Sequence, residues 1–190
     1  MKKSITFRLI TRLGIKISEG EYYDVSFFGA INRAMNGYWK SILLKYCMYS
    51  IIFSPFNYRF IRPYIWRKMG SKVGKNVFIG YGIWLDYNNA NLIEIGDNVH
   101  ITNMCLLLCH QRELDDYFKG DNAAKLSYKK NKIVIENGVM IGMNSTIMPG
   151  VRIGEGSIIG AKSLVNIDIP PWSVAAGNPV KVIRNIEKKS

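Results

Sequence analysis

A six-residue phrase recurs through the second half of this 190-residue chain and restricts its fold more than any other feature. It reads VGKNVF from Val73, IGYGIW from Ile79, IGDNVH from Ile95 and ITNMCL from Ile101. After a break it resumes as IENGVM from Ile135, IGMNST from Ile141, IMPGVR from Ile147, IGEGSI from Ile153 and IGAKSL from Ile159. A period of six fits neither an amphipathic helix nor simple strand alternation, so it signals a repeat architecture. With an aliphatic residue every sixth position and three short flat faces per coil, the side chains of successive coils stack into an internal column. Gly, Asn and Asp at the second to fourth positions supply tight turns between faces. Each coil buries its apolar residues only against neighbours, so the ends of the stack need caps.

The phrase IGDNV from Ile95, His110 at the point where the repeat breaks, and the closing run IPPWSVAAGNPVKVIR from Ile169 to Arg184 resemble the hexapeptide-repeat acyltransferases, in particular the maltose, galactoside and polysaccharide-biosynthesis O-acetyltransferases. The resemblance covers roughly residues 73–184. It implies a mainly β chain: a left-handed parallel β-helix with an N-terminal helical segment and a protruding loop. The expected organisation is a basic, largely helical segment over 1–72, the β-helix over 73–184 with a loop over 107–132, and a tail over 185–190.

Charge supports that division. Lys and Arg are concentrated in residues 1–75, which contain only Glu19, Glu21 and Asp24 as acids, while the remainder is close to neutral. Phe27, Ile31, Ala34, Met35, Tyr38, Ile42 and Tyr46 recur at three- and four-residue steps, which predicts a helix capped by Asp24 or Ser26 and stopping before Pro55. The apolar run from Ser41 to Phe53 is too short to span a bilayer. A second short helix is expected with Pro63 in its first turn and Gly70 just past its end. Three roles are open for this segment: packing on the β-helix or a neighbouring subunit, lying on an anionic membrane, or binding nucleic acid. The membrane role would place Tyr38, Trp39, Tyr49, Phe53 and Trp66 at headgroup depth and Arg59, Arg62, Arg67 and Lys68 on phosphates. Nucleic acid is disfavoured because no base-reading module is recognisable.

Cys47, Cys105 and Cys109 form an odd set without a cleavable signal sequence, which points to a reducing cytoplasm; the membrane role of the N-terminal segment would place the chain at the inner face of the plasma membrane. Zinc chemistry of the carbonic anhydrase type on this fold uses three histidines; only His100 and His110 occur, so no metal is expected and His100 reads as a surface residue. A Cys109 nucleophile paired with His110 is disfavoured, since adjacent side chains of an extended segment point to opposite faces.

Chemistry is expected where the repeat is interrupted, because long loops on rigid scaffolds carry function. His110 opens that loop, as the resemblance requires of a catalytic base, and imidazole suits proton removal from a hydroxyl near neutral pH. The resemblance implies acetyl-CoA as donor, a backbone N–H near Gly142 for the oxyanion, and a homotrimer with sites between subunits. It carries donor binding onto Gly142, Met143, Ala161, Asn166, Lys181 and Arg184, and acceptor contact onto Asp86, with His110 orientation as an alternative. Asn103, Arg112 and Tyr117 are further acceptor candidates. Met140 stands where several members carry Trp, and Trp172 caps the last coil or stacks on adenine. The expected activity is O-acetylation of a carbohydrate in surface-polysaccharide or glycolipid assembly. N-acetylation of an amino sugar, acetylation of a small antibiotic-like alcohol, and a non-enzymatic scaffold are the alternatives.

Overall fold

A computed structural model describes residues 4–12 and 26–188. The hexads form three flat parallel sheets that wrap a common core, a left-handed β-helix. One face stacks Lys72–Val73, Ile93–Ile95, Ile133–Ile135 and Arg152–Ile153. A second stacks Phe78–Ile79, His100–Ile101, Met140–Ile141, Ile158–Ile159 and Ser173–Ala176. The third stacks Trp84–Leu85, Leu106–Leu107, Thr146–Ile147 and Leu164–Val165. Where nothing interrupts it, a coil takes three hexads: Ile135 pairs with Ile153 and Ile141 with Ile159, each eighteen residues on.

Register follows from burial. The first residue of a hexad and the one two places before it point inward, so Ile79, Ile101, Ile141 and Ile159 line one face of the core and Leu85, Leu107, Ile147 and Val165 another, all essentially inaccessible to water. Withdrawing each such side chain from water contributes roughly 1.5–3 kcal/mol. Ser145, Ser157, Ser163 and Ser173 take smaller inward positions, and each hydroxyl donates to a carbonyl: Gly160 for Ser145 and Ser163, Pro170 for Ser157 and Pro171 for Ser173. Polar groups are tolerated inside because they are bonded.

One corner shows why the turn residues recur. Asn76, Asn98, Gly138, Gly156 and Trp172 occupy equivalent left-handed positions in successive coils. The Trp172 ring lies on Gly156, where an added Cβ would sit 2.6 Å from ring carbons. That contact assigns Trp172 to covering the corner of the last coils.

Two compact units divide the chain, residues 1–42 and 43–190. The long helix Phe27–Tyr49 begins with Ser26, whose hydroxyl accepts the Gly29 N–H; the alternative cap, Asp24, lies outside the described residues. Within the larger unit, Leu44, Cys47 and Met48 of this helix join the β-helix core. The short helix Arg62–Met69 starts with Pro63 in its first turn and ends on Gly70 in a left-handed conformation, as the sequence predicts. It buries Ile65, Trp66 and Met69 against the first coil.

Two expectations for this helix fail. Trp66 is fully buried, so it cannot sit at headgroup depth. Arg62 is equally buried and donates to the carbonyls of Ile79, Gly80 and Ser50, while Tyr58 lies 4.7 Å from its guanidinium carbon. Carbonyls at the open end of the first coil need donors, and a guanidinium with five N–H groups supplies several at once. Arg67 stays exposed and donates to the carbonyls of Val73 and Gly74.

Arg62→Met keeps the side-chain length but removes those donors. We expect a loss on the order of 3 kcal/mol, from carbonyls left without their charged partner. Thermal unfolding followed by circular dichroism is then expected to shift down by roughly 6–10 °C, and an unchanged midpoint would refute this role for Arg62.

Candidate active site

The break in the repeat builds the site. Asp86 follows the first strand of the third face, and His110 leaves the next coil of that face two residues after Leu108. The two side chains therefore meet at one corner, with His110 Nδ1 2.5 Å from Asp86 Oδ2. Asp86 is only 6% exposed and its oxygens also accept the Cys109 N–H at 3.2 Å and the Asn89 side-chain amide at 3.1 Å. A carboxylate surrounded by donors accepts from each of them, and this contact favours the imidazole tautomer with its proton on Nδ1. Nε2 is then left with its lone pair, on a ring 37% exposed. A fixed tautomer with an accessible basic nitrogen is the requirement for a general base.

Asp86 therefore positions His110. With its oxygens occupied by His110, Cys109 and Asn89 and almost no exposed surface, it is spent on the imidazole, and direct binding of acceptor hydroxyls is corrected accordingly.

The interruption itself is a hairpin, His110–Arg112 antiparallel to Tyr128–Lys130. Tyr128 presents its ring to His110 at 5.2 Å and 74°. Arg112 lies over the other part of that ring at 4.0 Å and donates to the Leu126 carbonyl. Its guanidinium thus stiffens the hairpin behind the imidazole. Tyr117 is exposed farther along the loop, where its N–H turns back to Leu114. Among the described residues nothing bonds it to His110.

Asn103 also has another task. Its side-chain oxygen accepts the Tyr81 N–H at 2.8 Å, stitching one coil to the previous one. The same device recurs where Asp97 receives the Lys75 N–H and Asn137 the Asp97 N–H.

The donor candidates fall into separate groups. Gly142, Met143 and Ala161 share the corner between the second and third faces. The Gly142 N–H is committed to the Ile159 carbonyl at 2.8 Å, so it is not an oxyanion donor. Glycine is required there by the next coil, since a Cβ would fall 2.4 Å from Ala161 N. Asn166 belongs to the opposite edge of the third face, in the same column as Asp86, Leu108 and Met148. Lys181 and Arg184 are exposed on the final strand, Lys181–Asn185, antiparallel to Ser173–Ala176. The corner carrying Met143 and the corner carrying His110 are separated by the width of the third face, roughly 15 Å for five extended residues. One chain therefore does not bring both to a single reacting carbon.

His100 is not a simple surface residue. Its ring stacks on Phe78 at 4.1 Å, and Phe78 stacks on Tyr58 at 5.2 Å. Burial, followed by the nearby Arg59, lowers its pKa.

Sequence reasoning missed Asn89 and Tyr128. Asn89 was detectable as the residue three places after Asp86, the spacing of a side-chain-capped turn. Tyr128 was not, because its place beside His110 depends on hairpin register.

Residues 132–166 match the model of the bacterial transferase hexapeptide repeat (six repeats). The galactoside O-acetyltransferase of Escherichia coli K12 is 39% identical over 121 residues, covering 61% of this chain and 57% of that protein. A hexapeptide-repeat acetyltransferase of Vibrio cholerae, solved with acetyl coenzyme A, superposes with a TM-score of 0.64 at 25% identity, covering 90% of this chain and 96% of the other. A maltose O-acetyltransferase of Clostridium difficile 630 has a TM-score of 0.62 at 24% identity over 82% and 89% of the two chains. The chain spans about three fifths of the length of the curated relatives it matches. Repeat and architecture together make it a hexapeptide-repeat protein with the left-handed β-helix fold that these acetyltransferases share.

The thiols take no part in this geometry. Cys47, Cys105 and Cys109 are all buried and unpaired. Burial pushes the Cys109 thiol up to about 12, with Asp86 adding to the effect, and burial pushes Cys47 to about 12 as well. Thiolates are the reactive form, so all three are expected to resist a disulfide reagent in the native state at pH 8 and to react together in denaturant. Fast modification of one thiol in the native protein would contradict this arrangement.

Proposed function

We propose that this protein transfers an acetyl group from acetyl-CoA to a carbohydrate hydroxyl, with His110 as general base. The Asp86–His110 pair, held in one tautomer at the root of the loop, carries the reading. Nε2 removes the proton as the acceptor oxygen attacks the thioester carbonyl. The tetrahedral intermediate collapses by breaking the carbon–sulfur bond, and the imidazolium returns its proton to the departing thiolate. The products are the O-acetyl ester and free CoA. Such a base contributes about 10² to 10⁴-fold in rate.

Two copies of the chain would complete each site, in keeping with a trimer of three equivalent clefts. The N–H of Met143, at the turn after Gly142, takes the oxyanion role in this reading, from the copy opposite His110. Ala161 leaves room for the pantetheine arm beside the backbone, while Lys181 and Arg184 pair with CoA phosphates. Asn166, on the His110 edge, faces the same cleft from the other copy. The likeness to galactoside and maltose O-acetyltransferases supports a carbohydrate acceptor.

Titration calorimetry of the purified protein with acetyl-CoA is expected to give one site per chain, weakened roughly tenfold in Lys181→Ala, a difference of about 1.4 kcal/mol. No heat at millimolar ligand would remove the transferase reading. In an acceptor screen, His110→Ala is expected to lower kcat by 10² to 10⁴-fold with CoA affinity nearly unchanged. Asp86→Asn keeps the shape but favours the wrong tautomer, so kcat is expected to fall while KM moves little. Equal loss of CoA affinity in these variants would instead mark a folding defect.

A further inference from the structure

We infer that the outer face of the short helix, with the turn preceding it, docks on an anionic lipid surface. The inner face of this segment is spent: Asn57, Arg62, Ile65, Trp66 and Met69 are buried. On the outer side Phe56, Phe60, Tyr64 and Lys68 follow at four-residue steps and all are exposed. Phe56 and Phe60 are 63% and 66% exposed with ring centroids 6.3 Å apart. In a helix packed on one side, that position is ordinarily polar. Phe53, in the turn before it, is 66% exposed and held at φ 64°, a conformation that non-glycine residues seldom adopt. Adjacent aromatic rings offered to solvent form a patch that needs a partner.

Charge selects the partner. From residue 25 to residue 85 the sequence has no Asp or Glu and nine Lys or Arg. Around the aromatic stripe, Lys68 is exposed over the Tyr64 ring at 5.5 Å, and Arg59, next to Phe60 in sequence, is exposed while donating to Asn76. A second copy applied through the same face would bring these cations together, so a two-fold contact is repelled. Anionic headgroups are complementary to both features, taking rings at the acyl boundary and cations at phosphate. No helix among the described residues is long and apolar enough to cross a membrane, so the segment lies on the surface. Resting on the acetyl-transfer reading, this docking selects acceptors carried at that surface, a lipid-linked carbohydrate among them.

Flotation of the full chain with phosphatidylcholine vesicles, with and without phosphatidylglycerol, tests the docking without any substrate, so its failure and that of acetyl transfer are read separately. Binding is expected only with phosphatidylglycerol and is expected to weaken as salt rises. Phe56→Ser with Phe60→Ser, and separately Arg59→Glu with Lys68→Glu, are each expected to lower partitioning by about tenfold or more. Both pairs are exposed, and unchanged unfolding midpoints verify that the fold is kept. Wild-type protein that ignores phosphatidylglycerol overturns the proposal, as do variants that float like wild type. A smaller particle by light scattering in the Phe variant also overturns it, since the face would then lie between copies.

Discussion

Closure of a coil in eighteen residues is the constraint on which everything else depends. Three faces of six residues return the chain to its starting azimuth, so Ile141 lands on Ile159 and Ile135 on Ile153. Inward aliphatics of the inner coils then meet their equivalents above and below, and strand N–H groups such as those of Phe78, His100 and Met140 find the next coil's carbonyl. Such a stack accommodates extra residues most readily at corners, where they can leave without shifting the register. Both insertions obey this rule: the short 3-10 turn Tyr87–Leu92 and the hairpin after Cys109 leave from the same corner. The site is the meeting of these two departures. Asp86 comes from the base of one and His110 from the base of the other, one coil apart.

That arrangement explains why the pair is rigid although it borders a long loop. The carboxylate is fixed by the Cys109 N–H at the end of the coil and by Asn89 in the short turn that follows Asp86, and the imidazole is fixed by the carboxylate. Tyr128 and Arg112 close the far side. The hairpin needs no contact with the rest of the solenoid to hold the ring, because its first residue is already anchored.

The architecture was legible because period six has one economical solution, and His110 was legible because it stands where that period stops. What escaped was decided by neighbours distant in sequence. Arg62 reads as one cation among many in a basic segment, yet the unpaired carbonyls of Ile79 and Gly80 draw it inside. Gly142 reads as a donor-site glycine, yet the close approach of the Ala161 backbone accounts for it. Asn103 reads as a polar turn residue near a cleft, and its oxygen closes the turn above it. In each case the residue type suited both roles, and only the stacking of coils distinguishes them.

The last strand reverses direction. Lys181–Asn185 runs antiparallel to Ser173–Ala176, whereas the coil strands before it are parallel. A parallel solenoid ends in an edge whose hydrogen-bonding groups match those of another solenoid's first coil, so an unprotected stack could lengthen by adding molecules end to end. The reversed strand presents a different spacing of donors and acceptors along the second face. The second face therefore ends in an edge unlike the one its parallel strands would offer, and five residues break the symmetry of the repeat there.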